Sequence, residues 1–239
     1  MKQNNLCGSG GGNCSPVAPV PPPPFKTLTD LVNNYVAVSR PWRSQWFSAY
    51  SLKKSVPVNT SPLPRDLITI CTYGLRWDRH RKFFVPMAGH QRRIAGTLPL
   101  IVAELKKRNV LAQRFSSFEL LFDFVTGVAC TVRLAHPNLK FGPLANYDVA
   151  CRLATVMGGP APKDYCYFHA GALEGIKKLY ANAKLSLPPK ARQGIANYTI
   201  RYVDLVSEPL FAALKLLSAD EIEDLCCCSK NDLLTVALP

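Results

Sequence analysis

Seventeen residues from Phe118 to Leu134 carry only three charges, Glu119, Asp123 and Arg133, and most of the others are apolar. A helix of that composition has almost no face for water and belongs at the centre of a fold. Ser116-Ser-Phe-Glu119, just ahead of it, has the Ser-x-x-Glu spacing of a capping box. The segment predicts a buried central helix around which the rest of the chain must pack.

The neighbouring segments repeat the rhythm of helix and Pro/Gly break. From Gln91 to Arg108 the apolar residues Ile94, Leu98, Ile101, Val102 and Leu105 recur at intervals of three and four. Lys106, Lys107 and Arg108 stand in the last turn, where cations suit the helix dipole. Helices are expected over 143–157, 169–182, 207–217 and 218–228, the last opened by the capping box Ser218–Glu221. Residues 26–38 predict a first helix, capped by Thr29 or Asp30, with Leu31, Tyr35 and Val38 as its stripe. Pro41 ends it. Trp42 to Leu52 reads as a second short helix, 55–64 as a proline-rich loop, Leu67 to Leu75 as a helix, and Arg76 to Pro86 as a basic loop. No segment alternates at period two. The expected fold class is therefore all-α, a single helical domain over 25–239. Residues 1–24, with Gly8-Ser-Gly-Gly-Gly12 and Pro21 to Pro24, read as a disordered tail.

The chain has 239 residues, 48% of them hydrophobic and 19% charged, enough for a real core. No apolar run approaches the ~20 residues of a membrane helix. Leu98-Pro-Leu-Ile-Val-Ala103 stops at Glu104, and Met1-Lys-Gln-Asn-Asn-Leu6 leads into Gly and Pro rather than an apolar signal core. An intracellular location without membrane association is expected. Nine cysteines are an odd number, and none forms a Cys-x-x-Cys pair with a second pair at zinc-site spacing. Cys71, Cys130, Cys151 and Cys166 lie in apolar surroundings and read as reduced, buried thiols. Cys226, Cys227 and Cys228 would point in different directions on one turn. His80, His90, His136 and His169 are widely separated, and phosphate-cradling and dinucleotide glycine motifs are missing. No metal and no cofactor is expected.

The net charge of +13 is unevenly spread. Residues 25–112 carry 15 Lys/Arg against Asp30, Asp66, Asp78 and Glu104, while 113–239 carry 13 against 12. The cations of the first part come in bunches beside aromatics: Arg40-Pro-Trp-Arg43, then Arg76-Trp-Asp-Arg79-His-Arg81-Lys82-Phe-Phe84, then Arg92 and Arg93, then Lys106, Lys107 and Arg108. Such a field attracts phosphate by releasing its counterions, and Trp or Phe can stack on bases. A basic face would also suit acidic proteins.

The segment His136-Pro-Asn-Leu-Lys-Phe-Gly-Pro-Leu-Ala-Asn-Tyr-Asp-Val-Ala-Cys-Arg-Leu-Ala154 follows the central helix. It resembles the helix-hairpin-helix of DNA-binding and DNA-repair proteins, whose hairpin reads roughly Leu-x-Gly-x-Gly-Pro before an Ala-rich helix. Leu139 matches the leading apolar residue and Gly142 the second glycine. Lys140 or Phe141, depending on alignment, replaces the first. The resemblance implies that Gly142 and the start of the second helix offer backbone N–H groups to a phosphate, with Lys140 as a direct contact. An ordinary αα-hairpin would use the same Gly-Pro turn. Helix-hairpin-helix glycosylases also carry an Asp beyond the hairpin, and Asp164 falls about there. The lysine of bifunctional members is missing from Leu144-Ala145-Asn146.

Three functions follow as expectations. The first is a non-enzymatic nucleic-acid-binding protein, DNA or RNA, that contacts the phosphate backbone largely without sequence specificity. The second is a base-excision glycosylase using Asp164. The third is a structural or assembly protein with a basic face, for which a homo-oligomer is expected.

Overall fold

A computed structural model of the chain describes residues 25–41, 98–139, 142–193 and 197–239, and the backbone of 75–78 and 83–86. In chain order the elements are α1 (Leu28–Asn34), β1 (Leu75–Asp78), β2 (Phe83–Pro86), α2 (Leu98–Lys107), α3 (Phe118–Ala135), α4 (Pro143–Met157), β3 (Tyr165–Phe168), α5 (Ala170–Asn182), β4 (Tyr198–Arg201), α6 (Tyr202–Ser207) and α7 (Ala219–Cys228). Short 3-10 turns cover Val110–Ala112, Pro209–Leu216 and Asp232–Leu234. The Trp42–Leu52 helix, the tail 1–24 and residues 91–97 of the Gln91–Arg108 helix lie outside the described residues.

The chain is mainly helical, as the all-α expectation has it, and two short antiparallel strand pairs stand where no strand was expected. Leu75, expected to end a helix, opens β1. The basic segment after it, expected to be a loop, contributes a strand at each end, paired Arg76 to Val85 and Trp77 to Phe84. Leu, Trp, Phe and Val favour a pleated surface, and four residues are too few to display a period. The second pair sets Tyr167 opposite Thr199 and Cys166 opposite Ile200.

Two hydrophobic cores meet at β3. One is built from Ile101, Leu105, Phe118, Phe122, Val125, Tyr147, Leu153 and their neighbours on α2, α3 and α4, and it includes Tyr167. The other gathers α1, α5, α6, α7 and the chain end, and it includes Cys166 and Phe168. Successive strand residues point to opposite faces, so β3 gives tyrosines to one core and Cys166 and Phe168 to the other. Both faces are apolar, which is why no alternation was visible in the sequence.

Caps set the helix starts. At α1 the box is made by Thr27 instead of Thr29 or Asp30. Thr27 Oγ1 accepts from the Asp30 N–H at 3.0 Å, and Asp30 Oδ2 accepts from the Thr27 N–H at 3.1 Å. At α3 the capping residue is Ser117. Glu119, the expected box partner, instead accepts the Tyr167 hydroxyl at 3.0 Å. The Ser218–Glu221 box forms as expected. Pro143 stands in the first turn of α4, and Gly158, at φ 62°, ends it in the left-handed conformation that glycine adopts at little cost. The helix expected over 207–217 is replaced by α6 and, after the Pro209 break, the 3-10 turn.

The second core ties residues 27–40 to the C-terminal segment. Thr27 bridges Ala237, Tyr35 donates to Asp224 Oδ2 at 2.7 Å, and Arg40 Nε donates to Glu221 Oε1 at 2.6 Å. Between α5 and α7 the backbones touch. Gly175 lies against the Cys226 main chain, and Gly171 faces the Cys227 sulfur. Cys166 and Cys226 are buried thiols, and burial pushes both up, away from thiolate chemistry. Cys130 is exposed, contrary to expectation. It sits on the side of α3 that the first core does not cover.

Candidate nucleic-acid interface

The last turn of α2 presents Lys106 and Lys107 to solvent and half-buries Arg108. Glu104, one turn earlier, accepts from Arg108 Nε at 2.7 Å and lies 3.9 Å from Lys107 Nζ. The Arg108 hydrogen bond holds the Glu104 carboxyl below the usual carboxylate range. Two cations thus share one carboxylate, Lys106 is exposed beside them, and the local charge stays positive. Arg108 also crosses to the central helix, where its Nη2 donates to Thr131 Oγ1 at 3.0 Å. Thr131 is four residues short of Ala135, one turn or roughly 6 Å from the end of α3. The basic end of α2 therefore stands beside the end of α3 from which the chain turns into α4.

That connection runs from His136 to Gly142. The His136 N–H donates to the Val132 carbonyl and the Leu139 N–H to the His136 carbonyl. Leu139 packs on the first core. Gly142 precedes α4 with φ −93° and ψ 175° and makes no side-chain cap. A Cβ there would meet nothing within 4 Å. Neither handedness nor internal packing requires this glycine, so its bare backbone faces open space at the helix entrance. Arg133 and His136 are exposed at the same end, but Arg133 leaves α3 about 200° round from Thr131, given 100° per residue.

Of the residues expected to bind nucleic acid, Lys106, Lys107, Arg108 and Gly142 thus come to one end of the α2–α3–α4 layer. Arg76 lies on β1. Arg79, Arg81, Lys82, Arg92, Arg93 and Lys140 lie outside the described residues. Asp164 is exposed ahead of β3, and its backbone carbonyl accepts from the Tyr202 N–H at 2.9 Å. At the opposite end of the α3–α4 pair, a groove of about 370 Å³ is lined by Leu111, Gln113, Arg114, Phe115 and Met157 among others. Among the described residues no helix is long and apolar enough to cross a membrane, and no His/Cys/Asp/Glu cluster could hold a metal.

A second polar cluster runs from the surface into the fold and has no counterpart in the sequence pattern. Tyr167 is fully buried, with its hydroxyl on Glu119. Arg192 Nη2 donates to Asp123 Oδ2 at 2.5 Å, one turn along α3 from Glu119. Behind them His169, 1% exposed, lies 5.3 Å from the Tyr147 ring and 6.4 Å from the Phe122 ring, measured between centroids. Neither of its ring nitrogens has a hydrogen-bond partner. Burial, together with the Lys190 charge, pushes its pKa down to about 4. The ring is neutral at pH 7.

No protein-family model, curated protein or solved structure matches the chain.

Proposed function

We propose that this protein binds nucleic acid through the phosphate backbone, largely without sequence specificity. The observation behind the reading is the Arg108–Thr131 hydrogen bond, which joins the basic end of α2 to the end of α3 that leads into the Gly142-Pro143 turn. In sequence these features belong to different regions, one strongly basic and one nearly neutral. Brought to one end of the fold, they supply mobile ammonium groups and an uncapped helix entrance to the same ligand. Lys106 and Lys107 neutralise phosphates as point charges, and the bare backbone at Gly142 admits a phosphate close to the start of α4. The resemblance to helix-hairpin-helix proteins supports the same use of the turn. Lys106 and Lys107 are point charges without the planar fork that reads base edges, and Arg108 is engaged by Glu104 and Thr131.

The test is fluorescence anisotropy with labelled duplex DNA, single-stranded DNA and RNA at low salt, after nuclease treatment of the protein. Affinity in the range of roughly 0.1–100 µM that falls steeply with salt is expected. Affinity weaker than about 1 mM for all three ligands removes the reading.

A further inference from the structure

The seam between the two cores holds an unusual concentration of unsatisfied polarity. His169 closes β3 and caps α5 from a position that is 1% exposed, and both ring nitrogens lack partners. Two acceptors without partners are buried in the same core, Thr126 Oγ1 on α3 and Asn146 Oδ1 on α4. Both sit on the helices that carry the rings packed around the imidazole. Thr126 is one turn along α3 from Phe122, and Asn146 precedes Tyr147. Ala170, immediately after the histidine, is held at φ 39°, a costly conformation for a residue with a Cβ. A buried polar group left unpaired costs free energy, so a second arrangement that pairs it is favoured whenever the group gains a charge.

The geometry points to His169 as an acid-operated release between the two cores: the neutral imidazole lets α3 and α4 pack on β3, and the protonated one drives them to loosen. A protonated ring has two N–H donors and a positive charge with no acceptor in its present site. Thr126 Oγ1 and Asn146 Oδ1 make no hydrogen bond to it in the packed state, and movement of α3 and α4 would let proton uptake exchange tight packing for new hydrogen bonds. The charged groups around the seam do not relieve the ring where it sits. On α3, Glu119 is held by Tyr167 and Asp123 by Arg192. On α4, Asp148 lies 3.6 Å from Arg152. On α5, Glu174 is paired with Lys178 at 2.9 Å and Lys230 at 2.6 Å. Lys190, on the loop before β4, repels a proton on the ring.

The experiment is amide hydrogen exchange at pH 7 and pH 5, corrected for intrinsic rates, on the wild-type chain and on His169→Phe and His169→Gln. Amides of α3 and α4 should open at least about tenfold more often at pH 5 in the wild type and show no such gain in either variant, while α5 and α7 stay unchanged. The same acid response in the variants, or one spread equally over α5 and α7, overturns the proposal. If neither variant folds, the imidazole carbon shifts of the wild type decide. An acid midpoint of that ring that coincides with the wild-type exchange gain, the gain being confined to α3 and α4, supports the release, and a gain spread equally over all helices overturns it.

Discussion

Thr131 Oγ1 accepts from Arg108 Nη2 at 3.0 Å while its own proton goes to the Gly127 carbonyl, also at 3.0 Å. The hydroxyl is fully used, and it aims a long cationic side chain from one helix along another. Thr131→Val keeps the volume and removes the acceptor. Nucleic-acid affinity should fall roughly threefold to tenfold, the equivalent of about 0.5–1.5 kcal/mol, with little change in thermal stability. Anisotropy and a melting scan on the same sample check this.

Gly142 and Gly175 should respond in opposite ways to alanine. At Gly175 an added Cβ falls 2.7 Å from the Cys226 carbonyl carbon and 3.0 Å from its Cα, and nearer still to the oxygen. Backbone cannot step aside, so Gly175→Ala should cost at least about 1–3 kcal/mol in urea denaturation. At Gly142 the Cβ enters open space with an ordinary φ. Gly142→Ala should leave stability within about 0.5 kcal/mol of wild type and weaken nucleic-acid binding.

Tyr167→Phe keeps the ring that fills the first core and removes only the hydroxyl on Glu119. The expected loss is about 1–2 kcal/mol, read as a lower urea midpoint. A loss well above that would mean that the hydroxyl supports more of the seam than this one bond.

Stability should depend on His169 in a defined pH window. Its pKa is about 4 in the fold against 6.5 for the free side chain. The unfolded chain therefore binds more protons between those values. The contribution is fully present above pH 6.5, declines as pH falls, and is lost below pH 4. The shift corresponds to roughly 3 kcal/mol. Urea midpoints from pH 7 to 4 should fall steeply in the wild type and less in His169→Phe.

Long periodic segments were legible in the sequence because burial of one helix face leaves a repeat of three and four. The helices at 118–135, 143–157, 170–182 and 219–228 match their expected spans within about two residues. The strands were not legible. β3 is buried on both faces, and four residues of Tyr-Cys-Tyr-Phe read equally as part of a helix. Ser116 misled because the carboxylate that would complete its box is committed to Tyr167, a contact 48 residues away. At the interface, Lys106, Lys107 and Arg108 were visible as a charge bunch. Their place beside the turn was not, because it depends on how α2 packs on α3. The His169 cluster left no pattern, since a lone histidine acquires meaning only from the rings around it.

The salt dependence of binding by wild type and by Lys106→Ala/Lys107→Ala decides whether this end of the fold meets phosphate. If both ammonium groups lie on phosphates, the slope of log affinity against log salt should become shallower by about 1–2, with weakening similar across unrelated sequences. A slope unchanged by the double substitution would contradict an interface at this end of the fold.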